Sequence, residues 1–138
     1  MSANLDLVRS IYADWERGDY SSTGWAHSEI ETVMADGPAP GSCTGPAGTA
    51  AALRDVTSAW EDWHAGAEEY RELDDERVLV LTRRGGRGKT SGLEIAEMRT
   101  EGAVLFEIHN GKVMRLVIYW DRDRALADLG LTPEAKAP

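Results

Sequence analysis

Residues Val104–Trp120 read VLFEIHNGKVMRLVIYW, two apolar runs joined by a short polar break that contains Asn110 and Gly111. An Asn-Gly pair supplies the two positive-φ residues of a type I′ turn, so the runs are predicted to pair as an antiparallel hairpin. The second run is apolar at odd and even positions alike, interrupted only by Arg115, which predicts a strand covered on both faces. Helices of the same chain can cover one face. A second copy of the chain is the simplest cover for the other.

The composition argues against two classes of partner. The 138 residues include 24 Asp and Glu against 15 Lys and Arg, and this acidic balance argues against nucleic acid or a membrane as the main partner. We expect a cytoplasmic protein, because Cys43 is the only cysteine and neither a charged-then-apolar leader nor a long apolar run is present. Residues 1–131 are expected to form one domain and residues 132–138 a flexible tail.

Apolar periodicity predicts the elements of the N-terminal part. Apolar residues at three- and four-residue steps predict a helix over roughly residues 4–17, and Asp19–Ala26 leaves room for at most a turn or two of helix. Residues Glu29–Met34 mostly alternate and predict a strand, with Asp36 on the same parity as Ile30 and Met34. Three prolines and four glycines in Gly37–Gly48 predict a loop over the mouth of the domain.

The middle of the chain is predicted to continue with a helix from Thr49 to Gly66, whose apolar stripe includes Trp60 and Trp63. A weak strand at 67–73, a buried strand at 78–81 and a basic glycine-rich loop at 83–92 follow.

The last strands and helix complete the prediction. Residues Leu93–Ile108 predict a strand too long to stay straight at about 3.3 Å per residue, so we expect a bulge at Gly102. Asp121 is predicted to cap a short final helix that Gly130 closes. The order of elements predicts an α+β domain whose curved antiparallel sheet wraps around helices.

Several short motifs carry a resemblance to a known family. They are WERGD at 15–19, NGKV at 110–113, and YWDR at 119–122 leading into ALADLGL at 125–131. With the element order, they resemble the nuclear-transport-factor-2-like superfamily, and within it the SnoaL-like polyketide cyclases, over nearly the whole chain. The resemblance implies a cystatin-like fold with a cone-shaped pocket. That fold hosts isomerases, cyclases, epoxide hydrolases and non-catalytic binders, so it implies no single reaction.

A carboxylate inside such a pocket would be the acid/base group, because burial raises the pKa of a carboxyl toward neutrality. The resemblance places Asp36 within one residue of the proton-shuttling Asp of ketosteroid isomerases, although Asp before Gly-Pro also forms turns. Glu97, Arg99 and Glu101 share one strand face, either as a group that orients water or substrate or as a plain charge ladder. His27 is a candidate base or a surface histidine.

Aromatic residues are the candidates for ligand binding, since five tryptophans contrast with a single phenylalanine. They form either a plain core or the walls of an apolar cavity for a flat or polycyclic ligand. The substrate-binding candidates are Tyr12, Trp15, Trp25, Met34, Trp60, Trp63 and Tyr119.

Two specialised mechanisms of the family do not carry over. Alignment on the hairpin turn places Ala103 where ketosteroid isomerases keep a protonated Asp, and Ile118 where limonene-epoxide-hydrolase-like relatives keep a carboxylate. The RRGGRGKT segment has Arg83 where a P-loop needs its first glycine, and the three histidines lack a metal-ligand spacing. We therefore expect neither cofactor nor metal.

Two hypotheses follow. The first is a homodimer, paired through the outer sheet face, that binds a small apolar or polycyclic carbonyl compound and acts as a cofactor-free cyclase or isomerase, with lyase or hydrolase chemistry left open. The second is a non-catalytic ligand-binding or accessory dimerisation protein.

Overall fold

The computed structural model describes residues 3–17, 19, 24–35, 41–58, 60–88 and 98–131, without the side chains of 55–58, 60–65, 84–88 and 98–100. Within these residues six strands form one curved, unclosed sheet with the order β2-β1-β6-β5-β4-β3, and three helices accompany it. The α+β class is therefore as predicted. The elements are α1 (Ala3–Glu16), β1 (Ala26–Met34), β2 (Gly41–Thr44), α2 (Pro46–Ser58), β3 (Trp60–Glu72), β4 (Arg77–Gly88), β5 (Met98–His109), β6 (Lys112–Tyr119) and α3 (Arg122–Asp128).

The hairpin of β5 and β6 has the predicted turn. Asn110 has φ 52° and Gly111 has φ 77°, and His109 pairs with Lys112 across the turn. Residues other than Gly and Asn adopt this left-handed backbone conformation at a cost in free energy, so these two residues determine where the chain reverses. The turn delivers β6 to the middle of the sheet, antiparallel to β5 and parallel to β1.

Strand alternation separates the apolar side chains into two clusters, one on each face of the sheet. We call the face against α1 and α2 the inner face and the face against α3 the outer face. The inner cluster includes Val8, Ile11, Tyr12, Trp15, Ile30, Leu53, Val80, Val104, Phe106, Leu116 and Ile118. The outer cluster includes Leu79, Leu81, Ala103, Leu105, Val117, Tyr119, Ala125 and Leu126.

The two-sided apolar character of β6 is explained partly by α3. This helix starts at an N-cap, Asp121, whose carboxylate accepts from the backbone N–H groups of Asp123 and Arg124, and it is followed by Gly130 at φ 71°. Both features are as predicted. Because α3 lies on the outer face, it covers part of the surface that the sequence assigned to a second copy of the chain.

The segment Gly37–Gly48 is more regular than predicted. Residues 41–44 form β2, which pairs antiparallel with β1 from Glu31 opposite Thr44 to Met34 opposite Gly41. Helix α2 begins at Pro46, because the first helical position needs no N–H donor and suits the fixed φ of proline. Residues 37–40 of this segment, and Asp36 before it, lie outside the described residues.

The helix predicted over residues 49–66 is too long. Helix α2 ends at Ser58, and Trp60 and Trp63 belong to β3, which pairs with β4 from Trp60 opposite Gly88 to Glu72 opposite Val78. The spacing of the two tryptophans fits a helix. The strand that contains them instead pairs with residues 83–88, which the sequence assigned to a loop, and tryptophan favours strands when such a partner is available.

The bulge predicted at Gly102 is absent. The register of β4 and β5 runs without a shift from Arg77 opposite Glu107 to Gly86 opposite Met98. A shift occurs between Glu107 and Ile108, where β5 pairs with β6. Unbroken alternation therefore places Glu101 on the same face as Ala103 and Leu105, the outer face.

Two further observations complete the fold. Among the described residues, no helix is both long and apolar enough to cross a membrane. The predicted C-terminal tail, residues 132–138, and the first part of the predicted long strand, residues 93–97, lie outside the described residues.

The hairpin turn can be tested with two glycines that differ in backbone conformation. Gly111→Ala places a Cβ in a left-handed conformation and should lower the free energy of unfolding by about 1–2 kcal/mol. The matched control is Gly24→Ala: Gly24 has equally open surroundings without a positive φ, so its free energy of unfolding should stay the same or rise slightly. Urea denaturation measures both. Equal losses in the two variants would contradict the proposed role of the turn.

Candidate functional site

Aromatic rings from α1 and the sheet lie together on the inner face. Tyr12 contacts Trp15, Phe106 and Tyr70 with ring centroids 4.9, 6.0 and 6.3 Å apart, and Trp15 lies 6.0 Å from Trp25. These pairs meet edge to face, which is a favourable arrangement for aromatic quadrupoles. We call these five residues the aromatic cluster. It brings together three of the predicted ligand-binding residues, Tyr12, Trp15 and Trp25.

Local contacts fix the rim of the aromatic cluster. The turn before β1 is held by Lys112, whose Nζ donates to the Gly24 carbonyl at 2.6 Å, while the N–H of Val113 donates to the Trp25 carbonyl at 2.9 Å. The guanidinium of Arg9 lies 5.4 Å from the centroid of Tyr70, a cation–π distance. Burial, followed by the charge of Glu16, raises the pKa of the Tyr70 phenol.

Small residues occupy one row of the inner face next to the aromatic cluster. Ala67, Thr82 and Gly102 lie opposite one another on β3, β4 and β5. The adjacent row carries bulkier side chains, namely Tyr70, Val80, Val104 and Ile118. The small-residue row, Ala67-Thr82-Gly102, therefore carries shorter side chains than the row beside it, and we call this row the recess.

Thr82 adds a polar group to this recess. Thr82 follows Val78 and Val80 by strand alternation, so its side chain lies on the inner face. The residue is 1% exposed, and its Oγ1 has no hydrogen-bond partner in the part of the chain that the structure describes. A buried hydroxyl without a partner costs about 1–3 kcal/mol. Such a group on an apolar face is a candidate contact for a ligand.

Arg122, the first residue of α3, holds the same strands from the outer side. Its guanidinium donates to the carbonyl oxygens of Thr82 at 2.7 Å and Gly102 at 3.2 Å, and to the carboxylate of Glu68 at 2.6 Å. Its hydrogen bond and charge, with the charge of Arg83, hold the pKa of Glu68 below its usual range. The backbone under the small-residue row is thus tied to α3.

Glu101 lies on the outer face, away from the aromatic cluster. It is more than half exposed and forms ion pairs with Arg83 at 3.3 Å and Arg122 at 3.7 Å. Its carboxylate is thus engaged on the face opposite the aromatic cluster, and its acid/base role stays a prediction. Asp36 and Glu97, the other two acid/base candidates, lie outside the described residues.

Two further candidates for catalysis, His27 and Arg99, lie in strands of the sheet. His27 lies in β1, half buried, and its Nδ1 accepts a hydrogen bond from the N–H of Glu29 at 2.9 Å. Arg99 lies in β5 opposite Gly85, and its side chain is among those not described. A role for either residue stays a prediction.

The two remaining ligand-binding candidates whose side chains are described lie on opposite faces of the sheet. Met34 packs against the inner cluster, whereas Tyr119 belongs to the outer cluster. The Tyr119 hydroxyl donates to the Asp128 carboxylate at 3.2 Å, and burial, followed by the charge of Asp128, raises the pKa of the phenol. Trp60 and Trp63 lie in β3, with side chains that are not described.

An open groove of about 470 Å³ lies on the outer face, on β1 and β6 and next to β2 and α3. Among its lining residues, Val33, Ala35, Val117 and Tyr119 form an apolar part, and Glu31, Arg115 and Arg124 contribute charges. Arg115 forms ion pairs with Glu31 at 3.3 Å and Glu107 at 3.2 Å. This outer groove is separate from the recess, because the sheet lies between them.

The small-residue row was not identified from the sequence. Thr82 follows an apolar run, and Gly102 was interpreted as a bulge. The signal that could have found them is the pairing of β3, β4 and β5, since only the register shows that the three residues lie side by side.

Comparison with known proteins identifies the fold. The sequence matches no family model and no curated protein. TerC, co-crystallised with polyporic acid, has a similar structure with a TM-score of 0.72 and 21% identity over 93% of this chain and 98% of that one. A Catenulispora acidiphila protein with a ketosteroid-isomerase-like fold, in complex with trimethylamine, has a TM-score of 0.70 and 14% identity over 95% and 97%.

A third similar structure is a candidate SnoaL-like polyketide cyclase from Jannaschia sp., with a TM-score of 0.64 and 16% identity over 99% of this chain and 94% of that one. Other similar structures are described as nuclear-transport-factor-2-like and cystatin-like. The chain therefore has the fold of the nuclear-transport-factor-2-like superfamily, as its sequence motifs predicted. At these identities the similarity defines the fold and not the reaction.

The link between α3 and the small-residue row can be tested by replacing Arg122. Arg122→Met removes the donors to two backbone carbonyls and to Glu68, and should lower the free energy of unfolding by about 2–3 kcal/mol. Arg124→Met is the control, because Arg124 is half exposed and its ion pair with Asp128 is long, at 3.8 Å. The control should change stability by less than about 0.5 kcal/mol. Urea denaturation at pH 7 measures the free energy of unfolding of both variants. Similar losses of stability in the two would contradict the linking role of Arg122.

Proposed function

We propose that the protein binds a small apolar or polycyclic carbonyl compound on the inner face of its sheet. The observation that carries this proposal is the aromatic cluster, with the small-residue row beside it on the inner face. Flat rings pack well against aromatic side chains, and ligand sites are mostly apolar with a few polar groups. The recess offers both features.

The similar structures support a ligand-binding use of this fold. TerC was crystallised with polyporic acid and the Catenulispora protein with trimethylamine, and two other similar structures are candidate polyketide cyclases. Function on this fold depends on the residues of the site. We therefore take from these structures the expectation of a small organic ligand, without its identity.

Binding without catalysis is the form of the proposal that the described residues favour. The carboxylate of Glu101 is on the outer face and engaged with two arginines, so it does not reach the recess. The assignment of Asp36 as an acid/base residue for cyclisation or isomerisation stays a prediction from the sequence. If the protein has an activity that Asp36→Asn abolishes while ligand binding persists, the protein is an enzyme that uses Asp36.

Ligand binding on the inner face can be tested with two neighbouring residues of β6. Ile118 belongs to the inner cluster, beside the recess, and Val117 belongs to the outer cluster. Ile118→Ala should weaken the binding of polyporic acid by roughly tenfold, because each buried methylene contributes about 0.8 kcal/mol. Val117→Ala should leave the affinity unchanged. Quenching of tryptophan fluorescence measures the affinities, since the aromatic cluster contains Trp15 and Trp25.

Folding of the variants is checked separately. Ile118→Ala is expected to lower the free energy of unfolding by about 2–5 kcal/mol; if too little of it folds, Ile118→Val provides a milder change with a smaller loss of affinity. A weaker affinity in Val117→Ala but not in the Ile118 variants would place the ligand in the outer groove instead. If the wild-type chain does not bind polyporic acid, this compound is not a suitable model of the ligand.

We also propose that the protein is a homodimer paired through the outer face. The outer groove leaves apolar atoms of Val33 and Ala35 beside charges of both signs, those of Glu31, Arg115 and Arg124. A two-fold interface brings the same patch together twice, so a patch with both charges can complement itself. Helix α3 covers only part of this face.

The dimer is tested by sedimentation equilibrium. The wild-type chain should sediment at twice its mass of 15.1 kDa, and Val33→Arg should shift it toward a single chain because a charge enters an apolar contact. Ser10→Arg, on the exposed surface of α1, should leave the mass unchanged. A wild-type chain that sediments as a monomer at micromolar concentration contradicts the proposal.

A further inference from the structure

We infer that the two copies of the chain dock reciprocally: helix α3 of each copy packs on the uncovered outer side of β1 in the other copy, and Arg124 forms an ion pair with Glu31 of the partner subunit. This inference rests on the homodimer proposed above, because it names the docking element and the charges that recognise a second copy. Two observations point to it. A groove lies beside a raised helix on one face, and the two sides of that groove carry opposite charges.

The outer face is covered on one side and uncovered on the other. Helix α3 packs against β5 and β6, and Val117 of β6 is only 4% exposed. Val33 of β1 lies beside Val117 in the register, yet Val33 is only partly buried, and so is Ala35. Both pack against the edge of the outer cluster. The cover that α3 provides therefore ends between β6 and β1.

The outer groove lies where this cover ends. It has a volume of about 470 Å³, with residues of β1, β2 and β6 on one side and Arg124 of α3 on the other. Beyond Val33, the next strand contributes the exposed Ser42, which lies opposite Val33. A short polar side chain does not cover its apolar neighbour. The outer face thus has a step, from the raised helix down to a groove with an apolar floor.

Two copies of such a step fit together. The required two-fold axis runs parallel to the strands, in the plane between the two facing sheets, and lies between α3 and β1. Rotation about this axis places the α3 of each copy over the β1 of the other. Each copy then covers Val33 and Ala35 of its partner. An interface of this kind is the same patch used twice, and it closes at two copies.

The β1 side of the outer groove carries an excess of negative charge. Glu31 lines the groove on this side. It forms an ion pair with Arg115 at 3.3 Å, but Arg115 also forms an ion pair with Glu107 at 3.2 Å. Two carboxylates therefore share one guanidinium, so the charge of Glu31 is only partly compensated within its own chain.

The α3 side of the groove carries a cation with a distant partner. Within the described residues, the ion pair of Arg124 is with Asp128 at 3.8 Å, and the Arg124 side chain is 51% exposed. The same oxygen of Asp128 also accepts a hydrogen bond from the Tyr119 hydroxyl at 3.2 Å. The two-fold axis exchanges the two sides of the groove, so each Arg124 meets Glu31 of the partner subunit. Opposite charges that meet in this way fix the register of the two copies.

The test uses two charge reversals and their mixture. Arg124→Glu brings two carboxylates together in the dimer, and Glu31→Lys brings two cations together. Each variant alone should dimerise roughly tenfold or more weakly than the wild-type chain, because each dimer contains the reversed pair twice. An equimolar mixture should regain the dimer. In the mixed dimer the introduced glutamate faces the introduced lysine, and the native Arg124 faces the native Glu31.

The controls separate recognition from net charge and from folding. Arg17→Glu changes the net charge as Arg124→Glu does, at a side chain that is 64% exposed and pairs with Asp14 of its own helix. It should keep the wild-type dissociation constant. Recovery of the dimer on mixing also shows that both reversed variants are folded. Sedimentation equilibrium measures the dissociation constants, with masses compared to the 15.1 kDa of one chain.

The outcomes distinguish this inference from the homodimer itself. If the wild-type chain is a dimer and neither reversal changes its dissociation constant, the contact of α3 with β1 is overturned and the homodimer stands. If both reversals weaken the dimer but their mixture does not recover it, the ion pair between Arg124 and Glu31 of the partner subunit is overturned. If the wild-type chain is a monomer, the homodimer is overturned and this inference with it.

Discussion

The burial of β6 on both of its faces is the constraint on which the rest of the structure depends. Apolar surface contributes about 25 cal/mol per Å² removed from water, and β6 carries apolar side chains on both sides. Leu116 and Ile118 therefore require cover from α1 and α2, and Val117 and Tyr119 require cover from α3. A strand of this kind can only lie inside the sheet, and it does, between β1 and β5. The hairpin turn at Asn110 and Gly111 delivers it there.

The two faces that this constraint creates differ in chemistry. The inner face carries the aromatic cluster, whereas the outer face carries an ion-pair network of Glu68, Arg83, Glu101 and Arg122 around its apolar cluster. Exposed ion pairs contribute little to stability. Arg122 is different because it is mostly buried and also binds backbone carbonyls. It connects the charged face to the strands that form the recess.

The sequence predicted those parts of the fold that have local causes. The Asn-Gly turn, the stripe of α1, the alternation of β1 and the Asp121 cap of α3 are each specified by neighbouring residues, and each is found in the structure. The end of α2 was missed because the apolar spacing that includes Trp60 also fits a helix. Only the partner strand, residues 83–88 of β4, makes that segment extended. A tertiary contact of this kind has no local signal.

The candidate site was predicted only in part for the same reason. Tyr12, Trp15 and Trp25 are close together because apolar residues of α1 face the sheet, which a helical stripe predicts. The recess depends on three residues from three strands, and their alignment is a property of register. To predict which face of the sheet a residue lies on, one must first assume where its strand is interrupted by a bulge. For β5 the bulge assumed at Gly102 was wrong.

The regular passage of β5 through Gly102 has two structural consequences. Without a bulge, Gly102 lies opposite Thr82, so the residues that face each other there are both small. The same unbroken alternation turns Glu101 to the outer face, where two arginines engage its carboxylate. A bulge at Gly102 would have had the opposite effect on Glu101, because it would have directed the carboxylate toward the inner face. The register that places Gly102 opposite Thr82 thus also places the carboxylate of Glu101 on the outer face, away from the aromatic cluster.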